Sequence, residues 1–203
     1  MAHDFNSSER RILKRLNTPL KIQQFLDDEI NYNKERFGDT VYSPRLVLRH
    51  RTAHCVEGAL FAAAALEFHG RPPLIVDLEV VRDEDHVIAV YRVNRCWGAV
   101  AKSNYSGLRY RSPVYRTLRE LVMSYFDVYY NLEGEATVRR YSRPVSLHRF
   151  RGLKWRVAED HLWEVVKHLG AVRHTPLLKG PAAHKRYFID KRLYDAGLVG
   201  RIH

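Results

Sequence analysis

The apolar positions along the chain follow two periods. In the charged stretch Ser7 to Leu16, Ile12, Leu13 and Leu16 share one helical face, which predicts a short amphipathic helix interrupted by Pro19. Ile22, Phe25, Leu26 and Ile30 repeat that spacing and predict a second helix over Leu20 to Arg36, stopped by Gly38. Residues 39–51, with Pro44 and a basic stretch, read as a connector. Residues 52–69 differ in kind: they are apolar nearly all round, so they predict a helix buried in the core. Thr52 suits its N-cap, and Gly70 with Pro72 and Pro73 suits its end.

After Pro73 the period changes. Leu74 to Val81 is β-rich, Asp83 to Asp85 is a turn, and His86 to Val93 alternates. Asn94-Arg95 is a tight hairpin turn, and Cys96 to Ala101 is the returning strand. Three strands at this spacing predict an antiparallel meander against the buried helix. Helical spacing returns over Ser112 to Tyr130, and again from Lys154 or Arg156 to Leu169. A short strand is expected over Ala136 to Tyr141 and a short helix from about Lys185 to Ala196. There is no internal repeat. The expectation is one α+β domain over residues 1–203, with helical extensions over 1–50 and about 145–203.

Composition narrows the function classes. With 203 residues, 45% of them hydrophobic, the chain can bury a core and is not a disordered tail. The formal net charge of +11 favours acidic partners, nucleic acid among them. That charge is spread along the chain, and its densest cluster is only Arg49-His50-Arg51. A solvated basic surface is therefore preferred to specific nucleic-acid binding, because charge alone supports affinity and not specificity. Two cysteines exclude a disulfide framework. The polar start, residues 1–15, lacks a secretory h-region, and no apolar run is long enough to span a membrane. A cytoplasmic protein with free thiols is expected. Eleven His and two Cys show no paired metal-ligand spacing, and no Gly-rich phosphate loop is present, so neither metal nor cofactor is expected.

The candidate chemistry centres on Cys55. A thiol is a nucleophile only as thiolate, and a helix N-terminus together with an imidazole favours that form. Cys55 falls in the first turn of the buried helix, where free N–H groups can also hold an oxyanion. His86 opens the second strand of the meander and is the candidate base. A third group should orient its ring, and the end of the next strand offers Asn104, with Ser103 as the competing choice. His54 adjoins Cys55, but successive helical residues point about 100° apart, so it is read as lining the cleft and not as the base. Cys96 and Trp97 read as packing. Arg109, Arg111, Arg116 and Arg119 read as exposed charge, with a carboxylate-bearing substrate as the alternative.

A Cys heading a helix, a hairpin whose second strand opens with His, and a polar residue after the returning strand resemble the transglutaminase-like superfamily of papain-like fold. The residues that carry this are Cys55 through Leu66, His69-Gly70, Leu74 to Val81, His86-Val-Ile-Ala-Val-Tyr, and Trp97-Gly-Ala-Val. The likeness covers roughly Arg51 to Asn104, and its motifs are degenerate one by one. One departure stands out: the family has Asp four residues after that Trp, and here the position is Ala101. The resemblance implies a papain-like core and acyl transfer through a Cys55 thioester. His86 would serve as base, and Asn104 or Ser103 would replace the missing Asp. A peptide or amide substrate is implied, with water favoured over an amine as acceptor and no cofactor. The alternative class is a non-catalytic binding module that keeps the fold.

Overall fold

The computed structural model describes residues 4–35 and 38–201. Four helices lie in the first third. The first, α1 (Ser7–Arg15), is capped by the Asn6 side chain, and Glu9 accepts from the Asn6 N–H in return. The second, α2 (Pro19–Asp28), starts on a Thr18 cap and stops well short of the expected end. Ile30 is buried, and the chain then runs as β1 (Asn31–Tyr32), parallel to β2 (Thr52–Ala53). The expected connector contains α3 (Pro44–His50): Ser43 caps it, Pro44 takes the first position, and Arg51 ends it at φ 55°. The buried helix is α4 (Cys55–Phe68), as its all-round apolar pattern predicts, but its N-cap is His54 and not Thr52.

The predicted meander forms β3 (Leu74–Val80), β4 (His86–Val93) and β5 (Cys96–Val100), all antiparallel. The helix expected from Ser112 is instead β6 (Arg111–Tyr115), followed by the six-residue α5 (Leu118–Met123). Pro113 is tolerated there because β6 is the sheet's edge strand, and Thr117 caps the short helix. Next come β7 (Val138–Ser142) and β8 (Val145–Ser146), then a 3₁₀ segment Leu147–Leu153 ended by Lys154 at φ 48°. That left-handed residue is why α6 (Trp163–Ala171) begins later than the periodicity suggests. Last are β9 (His174–Pro176) and α7 (Lys191–Gly197). Part of the expected terminal helix is extended: the Ala136 N–H donates to the Tyr187 carbonyl at 2.8 Å, and the Ile189 N–H to Gly134 at 2.9 Å.

The larger sheet runs β6-β5-β4-β3-β7-β9, with β8 also pairing β3. Both of its faces are covered, so the fold is α+β with helices on an antiparallel sheet. Alternate residues of the central strands go to opposite cores. Ile75, Val87, Ala89 and Tyr91 meet α4, while Val76, Leu78, Ile88 and Val90 meet Leu121, Tyr125 and Tyr129 beyond the other face. Double coverage explains why β3 and β4 read as nearly continuous apolar runs.

The N-terminal helices belong to the same core as α4, through Leu13, Ile22, Phe25 and Leu26. They also hold the end of β5. Gln23 makes two hydrogen bonds to the backbone of Ala101, accepting at 3.0 Å and donating at 2.9 Å. Buried Lys102 donates to the carbonyls of Leu26 and Ile30 at the end of α2, each at 2.5 Å. Its Cβ lies where a Cβ on Gly58 would fall, at 2.3 Å, so only glycine lets α4 approach this strand end. Among the described residues no helix is long and apolar enough to cross a membrane.

Candidate active site

The site begins with the capping of α4. The sequence His54-Cys-Val-Glu57 forms a reciprocal cap: the Val56 N–H donates to His54 Nδ1 at 3.2 Å, and the His54 N–H donates to Glu57 Oε2 at 2.9 Å. Cys55 therefore occupies the first helical position, where a backbone N–H has no acceptor within the helix. His54 is outside the helix, with φ −91° and ψ −168°. The angular argument that separated its ring from Cys55 does not apply to an extended residue. Its Nδ1 lies 4.0 Å from the Cys55 Sγ.

Glu57 fixes this geometry. Its side chain is fully buried and accepts four hydrogen bonds: Thr40 Oγ1 at 2.7 Å, the Tyr42 N–H at 2.9 Å, the His54 N–H at 2.9 Å and Asn33 Nδ2 at 3.1 Å. The segment before α3 is thereby tied to the start of α4. The same segment holds the outer side of the His54 ring, because Nε2 lies 2.8 Å from the Thr40 carbonyl.

His86 approaches from the sheet. It is buried, and its ring is among the groups that lower the Cys55 thiol. The Asp85 carbonyl, one residue earlier, lies 3.8 Å from Sγ. The structure thus brings Cys55 and His86 together, as expected from the sequence. The orienting partner is a different matter. His86 Nε2 is 2.9 Å from the Leu108 carbonyl, and the ring meets Tyr129 edge-on at 6.0 Å. The Ser103 hydroxyl accepts from the Tyr105 N–H at 3.0 Å, and Asn104 lies half-buried in the turn that follows. The acceptor seen on the His86 ring is therefore a backbone carbonyl, where a side chain, Asn104 or Ser103, was anticipated. Ala101 is fully buried and paired through its backbone to Gln23.

The electrostatics favour a thiolate. Burial pushes the Cys55 thiol up, but hydrogen bonds from His54 and then His86, with their charge, bring it down to about 6. Burial lowers His54, yet the Cys55 interaction and the Glu57 charge raise it to about 9. Glu35 and Glu57 carboxylate oxygens lie 3.5 and 3.6 Å from its Nε2. Tyr32 and Tyr129 have phenols pushed up by burial first and by the Cys55 charge second, which puts both near the sulfur. Cys96 is at the far end of β5 from the site-bearing segment, in the 4–5 hairpin. Arg111 is not exposed helix charge: its guanidinium stacks on Tyr125 at 3.9 Å and donates to Ser124 Oγ at 2.9 Å.

No protein-family model matches the chain, and no curated protein matches it significantly. The functional reading therefore rests on the site itself.

Two residues, His54 and Glu57, have larger parts in the site than their sequence positions suggested. Their signal was present: a residue able to accept through its side chain, followed three positions later by Glu, marks a helix start. The Leu108 carbonyl left no signal, because a backbone acceptor has no residue identity.

Proposed function

We propose that the protein is a cysteine-dependent acyl-transfer enzyme with a papain-like arrangement, acting on amide or peptide bonds. The observation that carries this reading is Cys55 at the first position of a buried helix, with the His54 Nδ1 4.0 Å from its sulfur and its thiol drawn to about 6 by His54 and then His86. In the reaction the Cys55 sulfur attacks the acyl carbon and a thioester forms. The imidazoles beside it take the thiol proton, which leaves on the departing amine. Backbone N–H groups at the start of α4 hold the oxyanion. His86, kept in register by the Leu108 carbonyl, takes a proton from the acceptor in the second step. Water as acceptor makes this hydrolysis. A primary amine would make it transamidation.

The test uses p-nitrophenyl acetate as a minimal acyl donor. The expected result is a burst of nitrophenol and a single acetyl adduct on Cys55 that hydroxylamine removes. Cys55→Ala should abolish both. An adduct equally distributed between Cys55 and Cys96, or no burst at all, would leave a fold without acyl-transfer chemistry and favour the binding-module reading.

A further inference from the structure

His54 has two ring nitrogens and three claims on them. A carbonyl only accepts, so Nε2, 2.8 Å from the Thr40 carbonyl, carries a hydrogen. In the neutral ring Nδ1 then holds the lone pair. Two donors compete for it: the Val56 N–H at 3.2 Å and the Cys55 thiol at 4.0 Å. The nearest carboxylates, Glu35 and Glu57, lie on the Nε2 side. They stabilise positive charge on this ring. His86 has a backbone carbonyl at the corresponding nitrogen. The two imidazoles beside Cys55 thus share a carbonyl at Nε2 and differ in charge: among the described residues carboxylates lie within 4 Å of the His54 ring and none forms an ion pair with His86.

We propose that His54 is the resident counter-ion of Cys55: in the free protein its Nδ1 holds the thiol proton, and the Val56 N–H it releases turns to the thiolate. In this step the S–H bond breaks, an Nδ1–H bond forms, and the electron pair stays on sulfur. The His54 side-chain cap on the Val56 N–H is thereby exchanged for a charge pair. During acylation that proton leaves on the amine; in deacylation His86 takes a proton from the attacking water and returns it through the leaving sulfur to His54 Nδ1, which restores the pair. His86 is left for proton transfer with the acceptor. The inference rests on the acyl-transfer reading and assigns the resting charge within that site. The titratable groups facing the pair are Glu57 on α4, Glu35 and Tyr32 before α3, Asp77 and His86 on the sheet, and Tyr129. The carboxylates nearest His54 favour its cation, whereas the Asp77 charge opposes the thiolate.

The experiment is iodoacetamide alkylation of Cys55 against pH, followed by peptide mass spectrometry with Cys96 as internal reference. The variants are His54→Asn and His86→Asn. Asparagine is among the strongest N-caps, so His54→Asn keeps α4 capped, and circular dichroism checks the fold. The wild-type midpoint is expected near pH 6. His54→Asn should raise it by about two units, towards the ordinary cysteine value, and His86→Asn should raise it less. A His54→Asn midpoint equal to the wild type, or a larger shift in His86→Asn, overturns the assignment. Nitrogen NMR of the wild-type ring gives a second measurement that needs no variant: imidazolium shifts for His54 at neutral pH are expected, and neutral-ring shifts overturn it. The two readings fail separately. A wild-type Cys55 that titrates like a free thiol sinks the nucleophile itself, whereas a low wild-type midpoint that His54→Asn leaves unchanged sinks only the counter-ion.

Discussion

The two ends of α4 each bury a glutamate, and they use it differently. Near the C-terminal end, Glu67 faces a guanidinium and an imidazole: Arg156 donates to it twice at 2.6 Å, and His148 Nε2 lies 2.8 Å away. Burial pushes its carboxyl up, but those hydrogen bonds bring it below the usual range. At the N-terminal end, Glu57 is gripped by two backbone N–H groups, a hydroxyl and an amide, with the His54 ring 3.6 Å away. The first arrangement spends its charge on a guanidinium that never titrates, and it clamps the 3₁₀ segment and Arg156 to the helix. The second leaves charge directed at an imidazole that can gain or lose a proton beside a thiol. Neither burial nor a histidine partner alone therefore marks a functional carboxylate, since Glu67 has both; what sets Glu57 apart is that its histidine lies beside a thiol.

That contrast can be broken by mutation. The largest effect is expected from Glu67→Ala, which strands the buried Arg156 guanidinium. Denaturant unfolding should show a loss of about 4 kcal/mol, with the Cys55 alkylation midpoint unmoved. A shifted midpoint would mean that the two ends of the helix are coupled. Glu57→Gln should cost less, about 2–3 kcal/mol, because an amide retains some acceptor capacity for the four donors. It should also lower the His54 titration below about 9, as followed by NMR. A loss of stability without any change at His54 would make Glu57 a clamp like Glu67.

A third buried carboxylate sharpens the comparison. Asp77 Oδ2 lies 2.9 Å from His174 Nε2, while His174 Nδ1 is 2.8 Å from the Val172 carbonyl. With acceptors at both ring nitrogens, one proton must sit between Asp77 and the ring. Burial raises Asp77 to about 6, against the pull of His174. A carboxyl raised on folding gives stability that is complete below its unfolded value and is lost as pH rises through the folded one. Asp77→Asn mimics the protonated acid. Its melting temperature relative to wild type should therefore improve between about pH 4 and pH 7, by the equivalent of about 2 kcal/mol. Parallel pH curves would show that Asp77 stays ionised. The smallest effect is expected from Cys96→Ser: less than about 0.5 kcal/mol, and no change in Cys55 reactivity. A slower Cys55 in that variant would place Cys96 in the site after all.

Much of the frame was legible in the chain. The all-round apolar helix, the three-strand meander and the convergence of Cys55 with His86 follow from periodicity and from the order of elements, because both are local or nearly so. The misread segments have different causes. Residues 44–50 form a short helix only because Ser43 and Pro44 start it, and residues 111–115 form a strand because the open edge of β5 offers pairing. In the first a local start signal was present, and in the second the tertiary context overrode the pattern.

The amino-acid sequence by itself determined where a thiolate could arise: a cysteine at the head of a core helix, followed by a histidine at a strand start. Tertiary structure alone decided what surrounds it. Three features of the site depend on contacts between separate segments: a glutamate that ties Asn33, Thr40 and Tyr42 to the helix start, a carbonyl that holds His86, and the Thr40 carbonyl that holds the outer side of the His54 ring. The physical reason is that proton position depends on which donors and acceptors meet in space. Backbone groups supply several of those partners, and in the sequence every backbone group looks the same.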